Sequence, residues 1–208
     1  MSAHEPGQGP PTTALVVDVD GVVSPTGRAG PLAWGDAVVA GHVFGPVLVS
    51  PGLCRALDEL AARPGVTPLW LTSWTAAMRK AMDPFPGRTW PELVSDPDDP
   101  DLDWWKWAAL CRWLDSNPEI ARVAWCDDQL TDANLVGLRS PYRPAPPAAD
   151  SVDAPNGTAV IHTELARRHI DARLFAPPTT RGLTPADVKL IAAFLTPPRG
   201  AEPVSARP

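Results

Sequence analysis

The sequence has few cysteines and no long apolar segment. Its three cysteines, Cys54, Cys111 and Cys126, are widely spaced among 208 residues and form no CxxC motif, so neither a zinc site nor a disulfide framework is indicated. Reduced thiols favour a cytoplasmic location. No apolar run approaches the roughly 20 residues that a membrane-spanning helix needs, and residues 1–11 lack the apolar region of a signal peptide.

Positive charge is also scarce. The net charge is −6 and the only lysines are Lys80, Lys106 and Lys189, so a reaction that requires lysine has few candidates. A chain of this charge lacks the basic surface of a duplex-binding protein, and we expect no stable binding to duplex nucleic acid. Binding of a single phosphate remains compatible with an acidic chain, because a metal ion and a few cations can focus the local field.

Proline is abundant, with 27 residues, and it clusters at 6–11, 141–155 and 197–208. Such clusters are typical of tails and surface loops. The sequence therefore predicts disordered tails at 1–12 and 197–208. Between them it predicts one domain over 13–196 that carries a Pro-rich loop at about 141–156.

Within this domain, short apolar runs alternate with amphipathic segments. The runs at 14–19, 66–71, 92–95, 122–126 and 172–176 predict strands, and the segments at 50–62, 75–82, 103–115 and 184–195 predict helices. This alternation predicts an α/β fold, a Rossmann-like parallel sheet of about five strands with helices on both faces. Glycine-broken apolar residues predict a small β-hairpin flap at about 30–49. Only 34 positions separate the later motif residues Thr72 and Lys106, which leaves no room for a large cap domain.

Two of the predicted strands end in acidic clusters. Asp18 and Asp20 follow the first run, and Asp127 and Asp128 follow the fourth. The carboxyl ends of parallel strands are where α/β sheets bind ligands, and Gly21 lets the chain turn sharply so that both Asp18 and Asp20 reach one site. Crowded carboxylates repel, and a hard divalent cation such as Mg²⁺ relieves the repulsion. A turn with solvated acids would give the same Asp-x-Asp-Gly pattern.

Two further segments offer groups that suit phosphate. Thr72 ends the second run, and the backbone at Ser73 and Trp74 then opens a helix, an arrangement that binds anions. Simple helix capping by Thr72 or Ser73 would equally explain these residues. Lys106 lies in the first turns of a helix, where the dipole disfavours a cation unless anions lie nearby. The alternative is a surface lysine whose stem packs along the neighbouring tryptophans.

The order of these signals resembles the haloacid dehalogenase-like superfamily of phosphatases. The matching segments are VVDVDGVV, LWLTSW, Lys106 and VAWCDDQ, and the resemblance covers about residues 13–140. A response-regulator receiver has its acidic pair first and its lysine last, and an Asp-x-Asp glycosyltransferase would leave the later motifs unexplained. The segments LTSW and RGLTPAD, with the tryptophan-flanked lysine, also resemble a bacterial branch related to the phosphatase-like domains of RNA-repair proteins.

This resemblance implies a mechanism with a covalent intermediate. Asp18 would attack phosphorus and form an aspartyl-phosphate, and Asp20 would protonate the leaving oxygen and then deprotonate the attacking water. Thr72 and Lys106 would neutralise the phosphoryl oxygens.

The resemblance also implies a bound metal ion. Mg²⁺ would be held by the Asp18 side chain, the Asp20 carbonyl, and the acidic pair Asp127 and Asp128. Within that pair, Asp128 is the expected ligand and Asp127 the expected partner of Lys106.

The expected substrate is a nucleotide or a nucleic-acid terminal phosphate. Ser73 and two aromatic residues are the candidate substrate-binding residues: Trp34 in the flap and Trp74 after Thr72. An aromatic side chain at the mouth of a site can stack on a base, although packing in the core is the competing explanation. Two alternatives stay open, a small-metabolite phosphatase and an inactive phosphate-binding or interaction module with the same fold.

Overall fold

A four-stranded parallel sheet forms the centre of the molecule. The computed structural model describes residues 12–27, 33–43, 45–95, 104–135, 138 and 157–196. The chain forms, in order, the strands β1 (Thr12–Val17), β2 (Val38–His42), β3 (Pro46–Val49), β4 (Val66–Trp70), β5 (Ile120–Cys126) and β6 (Asp171–Phe175). The order in the sheet is β4-β1-β5-β6, and β2 and β3 form a separate antiparallel pair.

Helices follow or precede these strands along the chain. They are α1 (Pro51–Ala61), α2 (Ala76–Lys80), α3 (Trp105–Ser116), α4 (Thr158–Arg167) and α5 (Pro185–Leu195). The mixed α/β architecture is therefore confirmed. In the part of the chain that the structure describes, the longest helix has 12 residues, and no helix has the length and apolar character to cross a bilayer.

The sheet is covered on both faces, as the apolar character of its strands predicts. Leu15 and Val17 of β1 point into one apolar layer with residues of α1 and α5. Ala14 and Val16 point into the other layer with residues of α3 and α4. Successive side chains of a strand alternate between the two faces. A strand with helices on both sides is therefore apolar at every position, which explains the unbroken run at 14–17.

Capping residues set the beginnings of two helices on the same face. The Ser50 hydroxyl accepts from the backbone N–H of Leu53 at 3.0 Å, and Pro51 occupies the first helical position of α1. Thr184 and Asp187 form a capping box at the start of α5. Both begin where the sequence predicts them, so local capping chemistry was sufficient at these positions.

The predicted third strand at 92–95 is wrong. The chain makes one parallel bridge there, between Glu92 and Trp70, and leaves the sheet at once. Pro91 carries no N–H to extend a ladder, and Val94 is 61% exposed, so only Leu93 of this segment packs into the core. The parallel sheet therefore has four strands among the described residues, not five.

Helix α4 was not predicted from the sequence, because its start carries no local capping signal. Its N-cap is Gly157, with φ +58°, and a glycine has no side chain to cap with. The cap comes instead from Asp132, whose carboxylate accepts from the Thr158 backbone N–H at 2.9 Å and the Thr158 hydroxyl at 2.6 Å. A capping residue 26 positions away in the sequence cannot be inferred from local patterns.

The predicted flap is present as the β2–β3 hairpin, which lies against the end of α2. The Ala40 carbonyl accepts from the Asp83 N–H at 3.1 Å. A Cβ on Gly41 would lie 2.4 Å from the Met82 sulfur, so the glycine permits this close packing. Residues 28–32 and 44 of the flap region, the predicted tails outside 12–196 and the predicted Pro-rich loop lie outside the described residues.

Candidate active site

The first acid of each cluster lies at the same edge of the sheet. Asp18 follows β1 and Asp127 follows β5, and these two strands are neighbours. The Asp18 N–H donates to the Cys126 carbonyl at 2.9 Å, and the Asp127 N–H donates to the Phe175 carbonyl at 3.0 Å. The hydrogen-bond ladder of the sheet thus continues through both acids. Their backbone positions are therefore fixed by the sheet, independently of their side-chain contacts.

Lys106 lies between these two carboxylates. Its Nζ is 2.7 Å from Asp18 Oδ2 and 2.7 Å from Asp127 Oδ2. Lys106 is 5% exposed, Asp18 2% and Asp127 0%. The lysine is therefore a buried bridge and not a surface side chain, and its contact with Asp127 is the one that the family resemblance implies.

One cation serves two buried anions, and the pKa values reflect the imbalance. Burial raises the pKa of Asp127 to about 7, against the attraction of Lys106 and with added repulsion from Asp18. Burial also raises the pKa of Asp18, again opposed by Lys106. For Lys106, burial lowers the pKa, but the two carboxylates outweigh it and the net shift is upward. The raised pKa of Lys106 keeps the lysine charged, and its single charge does not offset the burial of both carboxyls.

Thr72 lies near Asp18. With Lys106, its hydroxyl opposes the effect of burial on the pKa of Asp18. The cap of α2 is Thr75, which accepts from the Met78 N–H, so neither Thr72 nor Ser73 caps that helix. Thr72 is 7% exposed, whereas Ser73 beside it is exposed.

The second acid of each cluster is only partly buried and bonds to a neutral donor. Asp20 Oδ2 accepts from the Trp74 indole N–H at 2.9 Å. Asp128 Oδ2 accepts from the Thr179 hydroxyl at 2.6 Å. Gly21, with φ +69°, lets the first loop close over the second, since a Cβ there would lie 2.3 Å from Asp128 Oδ2. A larger residue at position 21 would push the two acidic loops apart.

Three carboxylates could hold a metal ion together. Oxygen atoms of Asp18, Asp127 and Asp128 lie within 4.8 Å of one another. All are hard oxygen donors, which is the chemistry that Mg²⁺ prefers, and one lysine leaves their charge uncompensated. The donor set therefore fits a hard divalent cation. The family resemblance implies that Asp20 binds the metal through its backbone carbonyl, and its side chain is not part of this set.

The two predicted aromatic residues occupy different surroundings. Trp74 is 7% exposed and reaches Asp20. Trp34 is partly buried and its indole N–H donates to the Leu183 carbonyl at 2.8 Å. Trp34 lines a shallow cleft that Arg181 also borders. The structure thus joins Trp74 to a predicted catalytic acid and ties Trp34 to the chain that precedes α5.

Sequence reasoning missed Thr179. It follows β6 at the same edge of the sheet as the acids, and its carbonyl accepts from the Thr26 N–H at 2.9 Å. The available signal was its place just beyond the carboxyl end of a parallel strand, where ligand-binding groups gather. A threonine in a proline-rich turn carries no chemistry of its own that would single it out.

The chain matches no family model, and comparison with curated proteins and with solved structures also found no match. The superfamily resemblance therefore stays a prediction that rests on the motif segments alone.

Proposed function

We propose that this protein is a magnesium-dependent phosphohydrolase of the haloacid dehalogenase-like type, with a Rossmann-like fold and an aspartyl-phosphate intermediate on Asp18. The observation that carries the proposal is the buried Lys106, shared at 2.7 Å by Asp18 and Asp127 with Asp128 close by. A nucleophilic carboxylate, a fixed cation and a set of metal-binding oxygens at one sheet edge are what phosphoryl transfer needs.

The side chains of Asp18, Asp127 and Asp128, with the backbone carbonyl of Asp20, would hold Mg²⁺. The ion would neutralise charge on the phosphoryl oxygens and the surrounding carboxylates. Thr72 and Lys106 supply the remaining donors around the phosphoryl group, because both already lie against the nucleophile.

In the first step an Asp18 carboxylate oxygen bonds to phosphorus as the bond from phosphorus to the leaving oxygen breaks. The proton of Asp20 passes to that leaving oxygen, so the alcohol departs neutral and Asp20 becomes a carboxylate. Asp20 lies in the loop directly after the nucleophile, and its carboxylate accepts from the Trp74 indole N–H.

In the second step water attacks the phosphorus of the aspartyl-phosphate. One proton of the water passes to Asp20, the bond between phosphorus and the Asp18 oxygen breaks, and inorganic phosphate leaves. Both side chains return to their starting states, with Asp18 ionised and Asp20 protonated, so the cycle balances.

The proposed substrate is a terminal phosphate on a nucleotide or a nucleic-acid end. Among the described residues the chain between β1 and β4 holds only the β2–β3 hairpin and α1, with no large cap domain, and Trp34 precedes that hairpin. The net charge of −6 opposes tracking along a phosphate backbone, so the contact would be limited to the terminal phosphate and one or two bases.

A phosphatase screen tests the proposal. Wild type would be assayed with Mg²⁺ or with EDTA on small phosphate esters and on oligonucleotides with 5′- or 3′-phosphates. We expect Mg²⁺-dependent release of phosphate that prefers the oligonucleotide ends. Asp18→Asn should lower turnover by more than ~10³-fold, as loss of a nucleophile does in other enzymes.

The matched control is Asp83→Asn, an exposed acid paired with Arg88, which should retain wild-type turnover. Full activity of Asp18→Asn would contradict the mechanism. Preference for small esters would favour a metabolite phosphatase, and no turnover at all would favour a binding module.

A further inference from the structure

The proposed acid Asp20 is held by a single indole. Trp74 Nε1 lies 2.9 Å from Asp20 Oδ2. An indole N–H can donate but cannot accept a hydrogen bond, so Oδ2 is the acceptor in this contact. The carbonyl-type oxygen of a protonated carboxyl is the better acceptor, so the indole favours the proton on Oδ1 and thereby selects which oxygen acts as the donor.

The indole that makes this contact is itself fixed. Its ring stacks on Phe85 with centroids 6.2 Å apart and planes 10° apart, and the residue is 7% exposed. Its backbone N–H lies 3.3 Å from the Thr72 hydroxyl, and its carbonyl accepts from the Arg79 guanidinium. A buried ring against Phe85 has little face left for a base, which argues for a role toward Asp20 instead.

Arg79 gives this segment a rigid support. It is 3% exposed, pairs with Glu92, and its guanidinium lies 5.4 Å from the centroid of the Trp70 ring. The carbonyl of Trp74 is thus held by a buried side chain. An anchored backbone and a stacked ring leave the indole N–H little freedom to move away from Asp20.

We infer that Trp74 is a positioning residue for the acid–base carboxyl of Asp20, an inference that rests on the proposed phosphatase function. Through Oδ2 the indole holds the carboxyl so that Oδ1 delivers the proton to the leaving oxygen. Thr72 in the same segment lies near Asp18 and lowers its pKa. Residues 72–74 therefore align the nucleophile and the acid together, and loss of the indole N–H releases only the acid.

Loss of a well-placed acid affects some substrates much more than others. An alkyl phosphate has a poor leaving group that needs the proton as its bond to phosphorus breaks. p-Nitrophenyl phosphate has a good leaving group that departs without it. The constant kcat/KM reports the steps up to release of the leaving group, so the ratio of the two substrates isolates the action of Asp20 from general damage to the fold.

The test is Trp74→Phe, which keeps an aromatic ring against Phe85 and removes the N–H. General acid catalysis contributes 10²–10⁴-fold, and partial misplacement should cost ~10-fold or more in kcat/KM for the alkyl ester. The aryl ester should lose less than ~3-fold. Phe85→Leu keeps the donor and removes the stacking partner, and it should give a smaller loss with the same bias.

Trp70→Phe is the matched control. Trp70 is a fully buried indole that also contacts Phe85, and its N–H donates to the Gly87 carbonyl at 2.9 Å, not to an acid. It should change both esters equally. In an Asp20→Asn background, Trp74→Phe should add no further bias between the esters.

Equal losses for both esters in Trp74→Phe, or the same bias in Trp70→Phe, would overturn the inference and leave the phosphatase function standing. Absence of Mg²⁺-dependent turnover in wild type would reject the proposed function, and the role of Trp74 with it.

Discussion

The two acids of each cluster differ in how the protein holds them. Asp18 and Asp127, the inner pair, are buried and share the cation Lys106. Asp20 and Asp128, the outer pair, are partly buried and bond to neutral donors. A buried charge needs an opposite charge nearby, whereas a charge that reaches water can be oriented by an N–H or a hydroxyl. Each cluster thus supplies one acid of each kind.

The positions of the pairs explain this division. The inner acids directly continue hydrogen-bonded strands, so the sheet determines where their side chains begin. The outer acids lie beyond, where Gly21 has turned the first loop over the second. The inner pair is therefore fixed by the sheet and Lys106, and the outer pair by contacts between loops. The proposed chemistry follows the same division, because the nucleophile is inner and the acid–base group is outer.

The largest effect is expected when the inner pair loses its shared cation. Lys106→Met removes the cation and leaves two buried carboxylates without their partner. Breaking a buried ion pair on one side typically costs about 3–5 kcal/mol, and we expect the free energy of unfolding at neutral pH to fall by that amount. Denaturant unfolding of the metal-free protein measures it.

Lys80→Met, at an exposed position of α2, is the control and should change stability little. A loss below about 1 kcal/mol for Lys106→Met would show that the inner carboxylates do not depend on the lysine, and the distinction between the pairs would fail.

The buried inner acids should also make the free energy of unfolding depend on pH. Burial raises the pKa of Asp127 from 3.8 to about 7, so the folded protein binds this proton more tightly than the unfolded chain. The contribution of Asp127 to stability is therefore greatest below pH 4 and is lost as the pH rises toward 7. At about 1.36 kcal/mol per pKa unit, the loss is no more than about 4 kcal/mol. The raised pKa of Asp18 acts in the same direction.

Asp127→Asn isolates this effect, because an amide does not titrate. In EDTA, the free energy of unfolding of wild type minus that of the variant should fall steadily from pH 4 to pH 7. A flat or rising difference would mean that Asp127 is ionised throughout and that its contact with Lys106 fully offsets the cost of burial.

The inner pair was the part of the site that the sequence could predict. An apolar run that ends in aspartate predicts both the strand and the edge where the acid lies, and the rule that parallel strands gather their carboxyl ends needs no further information. Lys106 was harder, but a lysine in the first turn of a helix is unfavourable unless anions compensate it. Here two carboxylates do so, at 2.7 Å each.

The partners of the outer pair could not be predicted in the same way. Trp74 and Thr179 are 54 and 51 positions from the acids they contact. Their contacts depend on how loops fold over the sheet edge, and neither an indole nor a hydroxyl signals its partner in the sequence. Sequence reasoning weighed base stacking against core packing for Trp74, and the structure shows a buried ring with its N–H directed at Asp20.

The fold shows the same limit. Strands β1, β4, β5 and β6 and helices α1, α3 and α5 follow from apolar periodicity and local caps. The errors arise where a distant residue decides: Asp132 caps α4, and the segment at 92–95 makes one bridge to Trp70 and no ladder. Local patterns thus predicted the strands of the sheet and most of the helices that cover it. Tertiary contacts decided the start of α4 and the absence of a strand at 92–95.

The smallest expected effect tests whether the neutral donor of the outer acid Asp128 matters for metal binding. Thr179 donates to Asp128 Oδ2 at 2.6 Å from a position that is itself exposed. Thr179→Val keeps the shape and removes the hydroxyl, and a hydrogen bond of this kind contributes about 1 kcal/mol net. Mg²⁺ should then bind ~5-fold more weakly, since 1.4 kcal/mol is tenfold.

Calorimetric titration with Mg²⁺ measures this change directly, without any assay of turnover. Thr180→Val is the matched control, because Thr180 is the exposed neighbour in the same turn and should leave Mg²⁺ affinity unchanged. If both variants bind Mg²⁺ like wild type, Asp128 is oriented without Thr179, and only Asp20 depends on a neutral donor. If both weaken binding equally, the turn after β6 acts as a whole, and the hydroxyl has no separate role. A loss confined to Thr179→Val would establish that the two outer acids are held on one principle, each by a donor from a different loop.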